Sequence, residues 1–167
     1  MGGTGRTLAV MAKRIRWVFL AYQVPREPST PRISVWRKLR ALGVAQLLDG
    51  LAALPLSSRN REQLEWLAEE VAEAGGEASI WIAQAATAAQ ERELARRLTS
   101  AIAEEYRELV NAAEDAAASN DQTRQRTLAR LRRQLHRIRQ RDYFPSPDRE
   151  VAAAAIQRLA EVAEARS

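Results

Sequence analysis

The sequence predicts an α+β protein in which a small sheet unit is followed by a helical extension. Three observations predict it. Residues 16–55 carry strand, helix, strand and strand signals in that order, and residues 60–85 add a helix and a strand. From residue 87 onward, apolar residues recur only every three or four positions.

The first strand is the run Trp17-Val18-Phe19-Leu20-Ala21-Tyr22, rich in aromatic and branched residues that suit a pleated, half-buried surface. Pro25 and Pro28 end it, because neither has an amide hydrogen to give a ladder. Thr30 before Pro31 predicts a helix start: a hydroxyl cap, then a residue whose missing N–H is an orphan there anyway. Ile33, Trp36 and Leu39 recur at helical spacing among Arg32, Arg37, Lys38 and Arg40, and Gly43 is placed to end the helix in a left-handed conformation. Residues 44–48 and 51–54 read as short strands around Asp49-Gly50, a strong hairpin signal. Asn60 and Gln63 stand in capping-box spacing before a helix whose buried stripe is Leu64, Leu67, Val71 and Ala74, closed by Gly75-Gly76. Ala78, Ile80 and Ile82 then alternate with Ser79, Trp81 and Ala83, a strand period. The order β-α-β-β-α-β over residues 15–86 is the ferredoxin-like plan.

In the extension, residues 87–167, Leu94, Leu98, Ile102, Tyr106, Leu109 and Val110 mark a helix to about residue 117. Ser119-Asn120-Asp121 breaks it, and Leu128, Leu131, Leu135 and Ile138 mark a second helix, antiparallel to the first. Ser146 and Pro147 open a third, expected to bury Val151, Ala155, Ile156, Leu159 and Val162. Residues 1–14 read as a frayed basic leader, since the opening has no long apolar core before a small-residue cleavage site.

Composition narrows the chemistry. A chain of 167 residues that is 46% apolar can build a real core as one domain with an appendage or as two small ones. It has no cysteine, which excludes disulfides and thiolate catalysis and fits a cytoplasmic location. His136 is the one histidine, so a histidine-rich metal site is excluded. No segment approaches the about 20 apolar residues that span a bilayer, so no membrane partner is expected. The net charge is +5, and the basic residues are nearly all arginine, whose planar fork of donors suits phosphate.

The sharpest charge feature lies between residues 124 and 141, where Arg124, Arg126, Arg130, Arg132, Arg133, Arg137, Arg139 and Arg141 occur with no acid between them. Two readings stand. The arginines contact a nucleic-acid backbone, or they pair with the preceding glutamate-rich helix through Glu104, Glu105 and Glu108. A second cluster, Arg32, Arg37, Lys38 and Arg40, favours nucleic acid, so the expected DNA contacts are these four with Arg124, Arg126, Arg130, Arg133 and Arg137. Glu104 with Glu108, and Glu65 with Glu69, share helix faces that could hold a divalent ion, but solvated glutamates are the commoner outcome at this spacing, and no metal site is expected. No Gly-rich loop joins a strand to a helix, no cofactor is implied, and nothing reads as an active site.

The segments RWVFLAYQVPREPSTPRISVWRKLRALGVAQLLDGLAALP, EQLEWLAEEVAEAGGEA, EEYREL and RDYFPSP, in that order, resemble the N-terminal domain of the ChrB family. The strand-helix-hairpin opening is also similar to the C-terminal module of the PaaX repressors, which itself resembles a small ferredoxin-like CRISPR nuclease. The resemblance implies a cytoplasmic, DNA-associated regulator of chromate efflux, with chromate the implied inducer. The nuclease's metal-binding aspartate is absent, since the end of the first strand is Tyr22-Gln23-Val24, so cleavage is not expected. Chromate is a divalent oxyanion, and Arg26, Arg32 and Arg37, near a helix start, are its expected ligands. A homodimer is expected, as ferredoxin-like sheets pair by face or edge. The alternatives are a non-catalytic module that docks a separate partner chain carrying the C-terminal domain of longer ChrB proteins, and a metal-dependent nuclease using helical glutamates.

Overall fold

The computed structural model describes residues 14–165 and shows the α+β arrangement, a four-stranded antiparallel sheet with helices, followed by a helical C-terminal part. The expected basic leader otherwise lies outside the described residues. Arg14 is anchored, its guanidinium donating to the Ala86 carbonyl at 2.9 Å. The chain divides into two compact units, one ending at Arg97 and one beginning at Leu98.

In the first unit, β1 (Arg16–Gln23), α1 (Ser29–Leu42), β2 (Ala45–Leu48), β3 (Leu51–Pro55), α2 (Ser58–Glu73) and β4 (Glu77–Gln84) follow in sequence, and the sheet order is β2-β3-β1-β4. β1 is central, with Val18 opposite Leu54 on one side and Ile82 on the other. Trp17, Val18, Leu20, Ala52, Ala53 and Leu54 are fully buried, as are Leu64 and Val71 of α2. Gly43 ends α1 with φ 70, the left-handed conformation the sequence demanded. Gly50 is required by space: a Cβ there would lie 2.4 Å from the Tyr22 carbonyl oxygen, on the strand that also donates its Tyr22 amide to Gly50 O at 2.8 Å.

Several expectations shift. α1 begins at Ser29 and its cap position is Pro28, with no side-chain cap bond, so Thr30 is inside the first turn. Pro31 is tolerated at the third position because the first helical amides have no intrahelical acceptor. The buried face of α1 is Val35 and Leu39, one turn apart, whereas Ile33 and Trp36 are exposed. The cap of α2 is Ser57, whose hydroxyl accepts from the Asn60 amide at 3.0 Å, while the Asn60 side chain donates to Pro55 O at 2.8 Å. Trp17 is buried, whereas Trp36, Trp66 and Trp81 are exposed.

Helix α3 (Ala88–Ala117) begins in the first unit, so the sheet unit extends past residue 86. Glu93 there accepts from Arg96 at 2.8 Å and Arg97 at 3.0 Å, and Arg97 also donates to Gln46 O of β2 at 2.7 Å. These guanidinium bonds hold the Glu93 carboxyl well below its ordinary 4.5, at about 2. A lowered folded-state value gives stabilisation that is present above pH 4.5 and is lost as pH falls toward 2. Thermal melts between those limits are expected to show a larger fall in Tm for the wild type than for Glu93→Gln. Parallel curves would remove the pair from any role in holding β2.

The second unit continues α3 and adds α4 (Asp121–Arg139) and α5 (Pro147–Ala165). Ile102, Tyr106, Leu109, Leu128, Leu131, Leu135, Ile138, Ala155, Ile156 and Leu159 form its core. The short break at 118–120 and a two-bond contact from Arg141 back to Glu105, at 2.9 and 2.7 Å, run α4 antiparallel to α3. The Tyr106 hydroxyl donates to Asp142 Oδ2 at 2.8 Å, and burial, reinforced by that bond, pushes its ionisation upward. On α5, Val151 is exposed and Val162 half-buried; Ala152 and Ala163 take the core positions expected of them.

Candidate nucleic-acid interface

The Asn120 side chain caps α4, accepting from the Thr123 amide at 2.9 Å. Leu128, Leu131, Leu135 and Ile138 face the core. Arg126, Arg130, Arg133 and Arg137, at intervals of four, three and four residues, lie along the opposite side and are exposed. At 1.5 Å per residue this stripe is about 16 Å long. Among the described residues, none of these four, nor Arg132 or Arg139, has a carboxylate within 4.0 Å. Arg130 reaches only the Gln134 side-chain oxygen, at 3.1 Å. The glutamate-rich helix instead engages Arg107 through Glu104 and Arg141 through Glu105. A row of guanidinium groups without acids, on a helix anchored by its other face, is a ready electrostatic track for phosphates.

Arg124 does not belong to that row. It is buried, and its guanidinium donates to the Asp121 carboxylate and the Ser119 carbonyl. Position 124 shares the stripe of Leu128, Leu131 and Leu135, so its side chain is turned inward, where no phosphate can reach it. The signal was Asp121, three residues earlier on the first turn, which the run of arginines obscured.

In the sheet unit, Tyr22, Pro25, Arg26, Arg32, Trp36 and Asp49 line a cavity of about 710 Å³. The structure thus brings Arg26 and Arg32 together beside the start of α1, which has no acid in its first turn. Arg37 is exposed on α1 and does not line the cavity. Lys38 is paired with Glu70, whose carboxyl is lowered chiefly by that bond and further by one from Ser34, against partial burial. Arg40 stacks over the Trp36 ring at 4.9 Å from its centroid. Burial raises the Tyr22 hydroxyl, opposed by the bond from Gln46 and reinforced by Asp49. Tyr22, Pro25, Trp36 and Asp49 are among the lining residues that sequence reasoning did not assign to this place. Only the Asp49-Gly50 turn hinted at them, by returning the chain to the end of β1.

Among the described residues no group of three or more histidine, aspartate or glutamate side chains could hold a metal ion. Glu65 is engaged by Arg61, as Glu104 is by Arg107. No described helix is long and apolar enough to cross a membrane.

A family model described as Protein ChrB, N-terminal, matches residues 32–123. Protein ChrB of Cupriavidus metallidurans is 34% identical over 133 residues, which is 78% of this chain and 41% of that protein. The chain therefore spans about two fifths of that relative's length. No solved structure matches it significantly.

Proposed function

The chain belongs to the ChrB N-terminal family, and on that premise we propose that it is a DNA-binding transcriptional regulator, or regulator subunit, of a chromate-resistance operon. It acts in the cytoplasm as a homodimer and without catalysis. The observation that carries the reading is the exposed stripe Arg126, Arg130, Arg133 and Arg137, which no acid of the described chain neutralises within 4.0 Å. Such a stripe tracks a phosphate backbone and sets register, while base-edge contacts choose the operator.

Chromate enters at the cavity of the sheet unit. Arg26 and Arg32 offer paired donors to a divalent tetrahedral oxyanion, and the free amides of the first turn of α1 add positive potential there. Trp36 and Tyr22 supply walls that exclude part of the water.

Footprinting of the DNA upstream of the operon, with chromate, with sulfate and with neither, tests both statements. The expected result is a protected site that chromate weakens and sulfate does not. Arg32→Ala should keep most of the protection and lose the chromate response. No protection at any salt would end the regulator reading, and an unchanged chromate response in Arg32→Ala would move the oxyanion elsewhere.

A further inference from the structure

The two edges of the sheet are treated very differently by the sequence. β2 is four residues long, its register with β3 shifts between Gln46 and Leu48, and Arg97 donates to Gln46 O at 2.7 Å. A short, irregular strand whose carbonyl is taken by a cation is a poor template for another strand. β4 has none of these protections. It is eight residues long, pairs with β1 without a break from Glu77 to Gln84, and takes no further strand on its outer side among the described residues. Its sequence, EASIWIAQ, holds one charge, at its first residue, and no proline. Trp81 is 63% exposed and Ile82 44% exposed. Every second amide and carbonyl of such an edge points away from its own sheet.

We propose that β4 pairs antiparallel with β4 of a second copy, giving a continuous eight-stranded sheet about a two-fold axis through Trp81. The proposal rests on the homodimer reading and gives that dimer its surface. Symmetry fixes much of the geometry. Antiparallel edge pairing of identical sheets needs an axis perpendicular to the sheet, which keeps faces matched and so pairs residues of equal parity. Centring on Trp81 sets Ile80 of each copy opposite Ile82 of the other, Ser79 opposite Ala83 and Ala78 opposite Gln84. Glu77 falls outside the ladder, so no charge enters it. The two indoles meet at the axis as an aromatic cross-strand pair, and the Trp81 Nε1 bond to Ser79 Oγ, at 2.8 Å, stays within each copy.

The absence of cysteine makes the test direct. In the 167-residue chain, Trp81→Cys should oxidise to a disulfide-linked dimer, since opposed Cβ atoms in an antiparallel ladder approach to about 5 Å. Ala83→Cys should not, because the two cysteines would be four residues apart along the strands, about 13 Å. Trp81→Lys, at an exposed position, should keep the wild-type circular dichroism and raise the dimer dissociation constant in sedimentation equilibrium by on the order of tenfold or more, as like charges would then oppose each other. A dimer constant unmoved by Trp81→Lys, or cross-linking at Ala83 in place of Trp81, would overturn this surface and leave the homodimer reading standing. A wild type that stays monomeric at every concentration would overturn both.

Discussion

Arg130→Ala/Arg133→Ala/Arg137→Ala is expected to reduce the slope of log affinity for DNA against log salt by roughly three units, about one for each phosphate contact removed. Near physiological salt the affinity should fall on the order of a hundredfold, and by a similar factor on operator and unrelated DNA, because backbone contacts carry no sequence information. Fold stability should hardly move. The three side chains are exposed and have no acid within 4.0 Å among the described residues, and Arg130's one bond is to Gln134 on its own helix. Surface changes of this kind stay within about 0.5 kcal/mol, and removing like charges from one face relieves repulsion. Salt titrations by fluorescence anisotropy, with a thermal melt of the same sample, read both quantities. An unchanged slope would place the phosphate contacts on another surface and remove the observation on which the regulator reading rests.

Much of this architecture was written in periodicity. The strand period of residues 78–83, the helical period of residues 94–109 and the hairpin at Asp49-Gly50 each name an element because hydrophobic spacing and turn chemistry are local properties. What escaped was decided by tertiary contacts. Whether Ile33 and Trp36 or Val35 join Leu39 on the inward face depends on the rotation of α1 against its neighbours, and either choice has helical spacing. Arg124 looks like its seven fellow arginines in the run, yet one turn of phase puts it on the leucine side with Asp121 to hold it. The cavity of the sheet unit was half legible: the place of Arg26 and Arg32 near a helix start shows in the sequence, but Tyr22 and Asp49 reach the cavity only through the pairing of β1 with the Asp49-Gly50 turn.

Leu131→Ala is expected to be the most damaging single change in the second unit. Leu131 is fully buried, on the core face of α4 and in the cluster shared by α3, α4 and α5. Removing three heavy atoms from such a site costs their transfer free energy plus a cavity term, together about 3–5 kcal/mol. At roughly 0.05–0.15 kcal/mol per residue, a unit of this size has on the order of 4–10 kcal/mol in hand, so one substitution removes a third of it or more. Urea unfolding followed by far-ultraviolet circular dichroism should show the helical transition at a much lower midpoint. Trp17, Trp36, Trp66 and Trp81 all precede residue 98, so tryptophan fluorescence follows the first unit separately. The arginine variants should lose DNA affinity at every temperature with the fold intact, whereas Leu131→Ala should bind with the wild-type salt slope when cold and fail only as its own helices melt. If the two variants lost binding in the same way, the stripe would be acting through stability and not through phosphate contact.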